Sequence, residues 1–292
     1  MIRSSAFLCA VLVLSVAVLT IFSSPGCVYA DSGITAPWER EKDEPESVEA
    51  EEPSEEKQRL ERALGTHDKS KFTPHKMNYG IIGADDALMQ ISFKYRLISD
   101  WGMYFAFTNV IKWDIYESST PYHDINFMPE LFYRFTPKND WLFSLDAGYW
   151  HDSNGRTGEE DRAWDQLFVR FNKIFEVKHV NIAWKTNVYY ELGTNKGNQD
   201  IGEYLGWWDT CVNLLNILPT RGHNIDLELF MWSGQDGIPF KPGQFRAGII
   251  YKLKYVSFQP SFYLQYFNGY GEVLIDHDVR TESWRIGLAF LY

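Results

Sequence analysis

The chain has 292 residues, of which 45% are hydrophobic and 16% are aromatic. Its formal net charge is −11 at neutral pH, its mean hydropathy is −0.31, and no basic patch points to nucleic acid as a partner. That hydropathy, and the lack of a long apolar run after Phe22, argue against a helical membrane protein. Membrane β-barrels remain possible, because their strands alternate between polar and apolar residues.

Residues 1–30 have the organisation of an export signal. Arg3 supplies a positive start, an apolar run follows, and Val28-Tyr-Ala30 offers a small-residue cleavage site. We therefore predict a signal peptide, in preference to a retained membrane anchor. Its removal leaves Cys211 as the single cysteine of the mature chain, so no disulfide can form within that chain.

Residues 31–72 form an acidic segment. Between Glu39 and Arg62 eleven residues are acidic and five are basic, which gives this stretch a net charge of −6. Low hydrophobicity combined with high charge prevents a chain from burying a core. We predict a largely disordered segment, with a dedicated partner-binding arm as the less favoured alternative.

Twelve segments of alternating polar and apolar residues follow between residues 73 and 292. Alternation with a period of two is typical of β-strands that have one apolar face and one polar face. The centres of the segments are Tyr79, Phe93, Phe107, Leu131, Leu145, Leu167, Ala183, Asp209, Leu229, Ile249, Phe262 and Leu288.

A soluble β-sandwich alternates in the same way, but three features favour a membrane barrel. The segments are about 10 to 12 residues long, which fits a tilted strand that crosses a bilayer. The polar faces carry charges deep in the strands, such as Lys94 and Glu130, as in a barrel lumen. The last segment alternates up to Tyr292, and this aromatic end resembles the assembly signal of bacterial outer-membrane barrels. We predict an all-β fold, a 12-stranded antiparallel transmembrane β-barrel over residues 73–292, in which closure removes every sheet edge.

The lumen is predicted to be packed and not an open channel. Large side chains accompany the charges on the polar faces of the segments. They include Phe132, Trp150, Trp164, Phe168, Tyr189 and Trp232.

The segment that ends at Ser153 carries two residues capable of chemistry. Its apolar face continues into His151 and Ser153, which therefore lie on one face, about 7 Å apart along the strand. In the next segment Asp165 falls in register with Ala163 on the apolar face. A hydroxyl nucleophile, an imidazole base and a carboxylate that orients the imidazole are the groups that acyl transfer requires. The sequence predicts such a site on the outward, lipid-facing surface of two adjacent strands.

Several motifs in this region resemble those of a known family. They are His151-Asp-Ser-Asn-Gly-Arg156, Arg162-x-Trp164, Ser118-Ser-x-Pro121, Asn126-x-x-Pro129-Glu-Leu-Phe132 and Gly269-Tyr-Gly-Glu-x-Leu-Ile-Asp276. Together they resemble the outer membrane phospholipase A family. The resemblance implies an enzyme of the bacterial outer membrane that hydrolyses acyl esters of phospholipids and lysophospholipids at the outer surface of a twelve-stranded barrel. It also implies calcium (Ca2+) as cofactor and a homodimer as the active form.

Carried over residue by residue, the resemblance implies catalytic roles. Ser153 is the nucleophile and His151 is the general base. Asp165 stands where the family usually has Asn, and a carboxylate there also stabilises the imidazolium. The backbone N–H groups of Ser153 and Gly155 are candidate oxyanion donors.

The resemblance also implies a set of calcium ligands. They are the backbone carbonyl of Arg156, the side chain of Asp161, and a carbonyl near Ser119 of the partner subunit. Asp161 replaces a Ser of the family, and a carboxylate is the better ligand for a hard cation. Without the resemblance, residues 159–161 are better interpreted as a solvated acidic turn.

Two alternative functions stay open at this point. One is a passive barrel, either a narrow porin or a structural protein, in which His151 and Ser153 are incidental rim residues. The other is a lipid acyltransferase that uses the same site with a different acceptor.

Overall fold

The computed structural model describes residues 71–98, 101–137, 143–177, 180–218, 223–253 and 260–290. The strands are β1 (Phe72–Thr73), β2 (Asn78–Gly83), β3 (Ala87–Ile98), β4 (Met103–Trp113), β5 (Tyr122–Phe135), β6 (Phe143–Ser153), β7 (Ala163–Val177), β8 (Val180–Thr194), β9 (Trp208–Leu215), β10 (His223–Trp232), β11 (Gln244–Leu253), β12 (Pro260–Gly269) and β13 (Thr281–Phe290). In this described part of the chain, none of the helical segments has the length and hydropathy that crossing a bilayer requires. The predicted signal peptide, residues 31–70 of the acidic segment and Tyr292 lie outside the described residues.

The strands close into one antiparallel barrel. From β2 to β13 each strand pairs with the next one along the chain, and β13 pairs with β2. Because β1 and β2 both pair with β3, they share one position in the wall, and the 13 strands of the sheet occupy twelve positions. Each predicted segment centre lies in a strand of its own. The prediction of a 12-stranded antiparallel barrel is confirmed, although the strands vary in length from 2 residues in β1 to 15 in β7 and β8.

The first wall position is interrupted between β1 and β2, which the alternation pattern did not predict. Pro74 begins the link, and proline has no N–H with which to continue the ladder. Side chains of β3 replace the missing bonds: Gln90 Nε2 donates to the carbonyl of Met77 at 2.7 Å. His75 points from this link into the lumen, where its Nε2 lies 3.0 Å from Glu130 Oε1.

The outer face of the wall is apolar and exposed. Along β13, 61% of Trp284 and 61% of Ile286 are exposed, whereas Arg285 between them is 1% exposed. Soluble monomers rarely expose apolar surface that continues from strand to strand, whereas the lipid-facing band of a membrane barrel has this character. The alternation therefore predicted the two faces correctly.

Ion pairs occupy much of the lumen. Arg134 donates to both carboxylate oxygens of Asp146, at 2.6 and 2.7 Å, and Arg170 Nη2 donates to Glu130 at 2.7 Å. Pairing of this kind offsets the large desolvation cost of each buried charge. A cavity of about 310 Å³ remains beside these pairs.

An aromatic cluster lies in the lumen and was expected from the sequence. It comprises Tyr104, Phe132, Trp150, Trp164, Phe168 and Trp232, with Ile201, Leu205 and Leu274 packed among them. Ile201, Leu205 and Leu274 come from the connections between strands, so the cluster reaches the end of the barrel where the connections after β6, β8 and β12 meet. The predicted site lies at this same end.

Candidate active site

Strands β6 and β7 carry the predicted catalytic side chains on the outward face. In the antiparallel pairing His151 lies directly opposite Asp165, and Ser153 lies opposite Ala163. His151, Ser153 and Asp165 are partly exposed, while Trp150, which alternates with them, is buried in the lumen. The structure thus brings the three predicted side chains to one end of the barrel and onto one surface.

Asp165 is hydrogen bonded to His151. The Nδ1 atom of His151 lies 2.7 Å from Asp165 Oδ1, and the two side chains are 30% and 37% exposed. The hydroxyl of Tyr149 donates to the same carboxylate oxygen. An acceptor at this point holds the proton on Nδ1 and leaves Nε2 of His151 free to act as a base.

Ser153 lies two residues beyond His151 on the same face. Its partner on the other neighbouring strand is Phe127, so an apolar ring flanks the hydroxyl. Among the hydrogen bonds of the described residues, none joins the Ser153 hydroxyl to the His151 ring. Such contacts are often long in free enzymes and shorten when substrate binds.

The turn from 154 to 162 is organised by Asn154, whose side chain is buried. Its Nδ2 donates to the carbonyl of Glu160 at 2.9 Å, and its Oδ1 accepts from the N–H of Arg162 at 3.1 Å and of Arg156 at 3.3 Å. Gly155 follows with φ +65°, a conformation that glycine adopts without strain. Among the described residues the N–H of Gly155 has no hydrogen-bond partner, which leaves it available to an oxyanion.

The predicted calcium ligands lie on two exposed turns. The Arg156 side chain is tied down, since Nη1 donates to Glu160 at 2.6 Å and Nη2 donates to the carbonyl of His123. The Asp161 carboxylate makes no hydrogen bond or ion pair with any described residue. Ser119 lies on the turn between β4 and β5 with φ +70°. Within the described ranges, no group of three or more His, Cys, Asp or Glu side chains has the arrangement of a metal site.

Aromatic side chains brace the site from the lumen. Trp150 and Trp164 alternate with the catalytic candidates on β6 and β7, and their ring centroids are 5.8 Å apart. Trp164 also stacks on Trp232 at 5.6 Å, and its Nε1 donates to Glu191 at 3.0 Å. Because these large rings have little freedom to move, they fix the backbone that carries His151 and Asp165.

The family model of phospholipase A1 matches residues 62–290, which is more than half of the chain. The chain belongs to the phospholipase A1 family. Together with the closed barrel and its apolar outer face, this membership identifies a protein of the bacterial outer membrane, as the sequence predicted.

Individual relatives agree with the family assignment. The phospholipase A1 of Klebsiella pneumoniae is 28% identical over 192 residues, which cover 63% of this chain and 60% of that protein. The phospholipase A1 of Escherichia coli K12 is 28% identical over 179 residues, or 59% of this chain and 55% of that protein. The chain thus spans little more than half of the length of the curated relatives it matches.

Solved structures share the fold. The outer membrane phospholipase A of Escherichia coli superposes with a TM-score of 0.62 at 21% identity and covers 74% of this chain and 93% of its own. The outer membrane phospholipase of Salmonella typhi, solved as a dimer with bound calcium, superposes with a TM-score of 0.63 at 21% identity. The match covers 80% of this chain and 97% of that protein.

A charged cluster supports the site of this phospholipase A1 family member from the neighbouring connections. His123 Nε2 lies 2.7 Å from Asp276, and Lys112 Nζ lies 3.4 Å from the same carboxylate. Although partial burial alone raises the pKa of Asp276, the hydrogen bond from His123 and the nearby positive charges hold that pKa below its usual value. The cluster therefore ties the connection after β12 to β5, whose His123 carbonyl in turn receives the Arg156 side chain.

Two residues of this family member were missed by sequence reasoning. Tyr149 belongs to the apolar face of the segment that ends at Ser153, and no role was assigned to it from the sequence, although a tyrosine two residues before His151 lies on the same face and carries a donor. Asn154 belongs to the motif from His151 to Arg156, but no role of its own was assigned to it from the sequence. The signal that identifies it is an Asn before a Gly at the end of a strand, because Asn side chains often hydrogen-bond to nearby backbone.

Proposed function

We propose that the protein is a phospholipase A that hydrolyses acyl ester bonds of phospholipids and lysophospholipids at the outer surface of its barrel. The observation that carries the proposal is the hydrogen-bonded His151–Asp165 pair on the lipid-facing surface, with Ser153 in register on the same strand. Exposed polar groups on a lipid-facing surface are costly, and they are usually functional.

The reaction follows from the chemistry of these groups. His151 Nε2 accepts the proton of the Ser153 hydroxyl as the oxygen attacks the ester carbonyl of the lipid. The N–H groups of Ser153 and Gly155 donate to the oxyanion of the tetrahedral intermediate. His151 then returns the proton to the departing alcohol oxygen, which leaves an acyl group on Ser153. Water activated by His151 cleaves this ester in the second half of the reaction.

Asp165 has two roles in this scheme. Its Oδ1 accepts from His151 Nδ1 and so keeps Nε2 directed away from β7. Its negative charge stabilises the imidazolium that forms when His151 takes the proton. The charge is retained at a lipid surface because two donors share it, His151 and Tyr149.

Calcium fits the donors that the turns offer. Hard oxygen donors are what this cation prefers, and the chain provides the Asp161 carboxylate and the Arg156 carbonyl, with a carbonyl near Ser119 of the partner subunit. Bound there, the ion would supply positive charge that stabilises the oxyanion of the reaction. The bound calcium of the Salmonella typhi structure supports this proposal.

A homodimer is the proposed active form, and membrane phospholipids are the proposed substrate. A barrel that offers its site sideways needs a second surface to enclose the acyl chain. The dimer of the Salmonella typhi protein supports the same arrangement. Crosslinking in detergent with calcium is expected to trap dimers under active conditions, and full activity of a preparation shown to be monomeric contradicts the proposal.

A phospholipid hydrolysis assay in detergent with calcium tests the activity. Ser153→Ala is expected to retain at most a few percent of the activity, because it lacks the nucleophile. Ser144→Ala is the matched control, since Ser144 is buried on the lumen side of the same strand. His151→Ala is expected to resemble Ser153→Ala. Each variant is checked for folding by its heat-modifiable mobility on gels.

Substantial hydrolysis by folded Ser153→Ala refutes the proposed mechanism and favours a passive barrel. Adding an alcohol or a lysophospholipid as acceptor distinguishes the acyltransferase, since the acyl group then appears on the acceptor and not as free fatty acid.

A further inference from the structure

Tyr149 contacts the catalytic carboxylate from the lipid side. It lies two residues before His151 on β6, on the same outward face, and 38% of it is exposed. Its hydroxyl donates to Asp165 Oδ1, the atom that also bonds His151 Nδ1. One carboxylate oxygen therefore receives two donors, while Oδ2 accepts no hydrogen bond from any described residue.

The remaining described neighbours of Asp165 donate no hydrogen bond to it: Tyr190, which faces outward on β8 opposite Leu167, makes no hydrogen bond with Asp165. On β8 its partner is Gly193, where an added Cβ meets open space. On the outward face of β5, Phe127 and Pro129 face β6, and neither of them titrates. Within the described residues Tyr149 and His151 alone position the Asp165 side chain.

We propose that Tyr149 is a positioning residue of this site: its hydroxyl holds Oδ1 of residue 165 on His151 Nδ1, so that the site works with either a carboxylate or an amide there. The proposal rests on the proposed function. It predicts that this site tolerates an amide at residue 165, although an amide in this role costs soluble serine hydrolases about 10⁴-fold in rate.

The two groups depend on Tyr149 to different degrees. A carboxylate has two equivalent acceptor oxygens, so either one can receive the His151 Nδ1 proton after the phenol is lost. An amide has one acceptor end and one donor end, and the donor end selects the wrong imidazole tautomer. A phenol is a better donor than acceptor, so it favours the amide oxygen at the shared position. Tyr149 is therefore expected to matter more with Asn at 165 than with Asp.

Four proteins test this idea: the native chain, Tyr149→Phe, Asp165→Asn, and the double variant. Tyr149→Phe is expected to lower kcat by about threefold to tenfold, the effect of about one hydrogen bond, and to leave KM unchanged. Asp165→Asn is expected to lose less than about 100-fold. The double variant is expected to fall at least about tenfold below the product of the two single effects, because the amide has lost its orienting donor.

The pH profile separates positioning from a merely structural effect. The phenol competes with His151 for the carboxylate, so its removal strengthens the interaction of Asp165 with the imidazolium. The acid limb of kcat/KM is therefore expected to move to higher pH in Tyr149→Phe. With Asn at 165 there is no carboxylate charge, and the same change is expected to leave the limb in place.

Tyr133→Phe is the matched control. Tyr133 faces outward on β5 opposite Ala147, is 48% exposed, and has no contact with Asp165. Removing its hydroxyl is expected to change neither kcat nor the pH profile. Tyr149→Phe keeps the ring on the lipid-facing surface, and unchanged gel mobility after heating verifies its fold.

The outcomes separate this inference from the proposed function. Suppose that the native chain is active, that Ser153→Ala is inactive, and that the effects of Tyr149→Phe and Asp165→Asn on kcat simply multiply. That result refutes the role of Tyr149 and leaves the proposed hydrolase function supported. If Ser153→Ala keeps its activity, the proposed function fails, whatever Tyr149→Phe does. A double variant far below the product supports both.

Discussion

Replacing Asn154 by Ala is expected to disorder the turn that carries the proposed oxyanion donor and the proposed calcium ligands, without unfolding the barrel. The Asn154 side chain is 4% exposed and makes two good hydrogen bonds to the turn, at 2.9 Å to Glu160 and 3.1 Å to Arg162, with a third at 3.3 Å to Arg156. At about 1 kcal/mol for each of the two good bonds, the ordered turn loses about 2 kcal/mol. The strand ladder between β6 and β7 does not depend on this side chain.

The free energy that the ordered turn loses can be converted into an expected decrease in kcat/KM. If the reaction requires the ordered turn, about 2 kcal/mol corresponds to a decrease of about 30-fold in kcat/KM. The calcium concentration for half-maximal activity is expected to rise as well, because the Arg156 carbonyl and Asp161 belong to the same turn. The assay is hydrolysis of a micellar lysophospholipid over a series of calcium concentrations, with folding followed by gel mobility.

Asn172→Ala is the control for Asn154→Ala. Asn172 is a fully buried Asn on β7, and its Nδ2 donates to Ser144 at 3.1 Å in the lumen, away from the turn. The Asn172→Ala variant is expected to be less stable than the native chain, but its folded form is expected to keep the native kcat/KM and calcium requirement. Folded Asn154→Ala protein with more than half of the native activity and an unchanged calcium requirement refutes the reasoning.

Two further predictions concern the metal and the lumen. Asp161→Ala is expected to raise the calcium concentration for half-maximal activity by at least about tenfold, since even indirect changes at metal sites cost 10- to 100-fold in affinity. The control is Glu159→Ala, which alters an exposed carboxylate of the same turn and is expected to give the calcium titration of the native chain. Equal titration curves for the two variants would show that Asp161 is a solvated turn residue and not a calcium ligand. Arg285→Ala removes the guanidinium that contacts the carboxylates of Asp86 and Glu272 at 2.5 to 2.9 Å, and leaves only Lys112, at 3.9 Å from Asp86 and 3.3 Å from Glu272, to offset their charges within the described residues. The barrel is expected to lose about 3 to 5 kcal/mol of stability, measured by guanidinium unfolding in detergent, and an unfolding midpoint equal to that of the native chain argues against a structural role of the cluster.

The alternation of the sequence was sufficient to predict the wall of the barrel. A period of two allows one side of each strand to face lipid, and a shift by one residue exposes every charge, so the pattern fixes the faces. It also placed His151, Ser153 and Asp165 on one surface, since all three occupy the apolar positions of their alternating segments. The interrupted first wall position escaped prediction, because the link from Pro74 to Met77 is held by side chains of β3 and not by its own pattern.

The finer contacts of the site could not be read from the pattern. Alternation tells that Tyr149 faces outward, but not that its hydroxyl reaches across to the neighbouring strand, because that depends on a rotamer and on the lateral offset of two strands. The role of Asn154 depends on the path of an irregular turn, for which no periodicity exists. The Tyr149–Asp165 contact joins residues that are neighbours in space but are 16 positions apart along the chain.

Each strand has one face in the packed lumen and one face toward lipid, and the two faces tolerate different amino-acid substitutions. Side chains such as Arg285, Asp146 and Trp164 contact specific partners in the lumen, so a change in one demands a change in another. On the exterior around Ser153, the described residues make few such contacts beyond those of Tyr149, His151 and Asp165, and lipid accommodates new side-chain shapes. If the proposed function holds, acyl-chain preference is expected to respond to outward substitutions alone, whereas a substitution in the lumen requires a matching change in its partner. A library that varies only outward positions of β5 to β7 should yield altered lipid selectivity with few misfolded members.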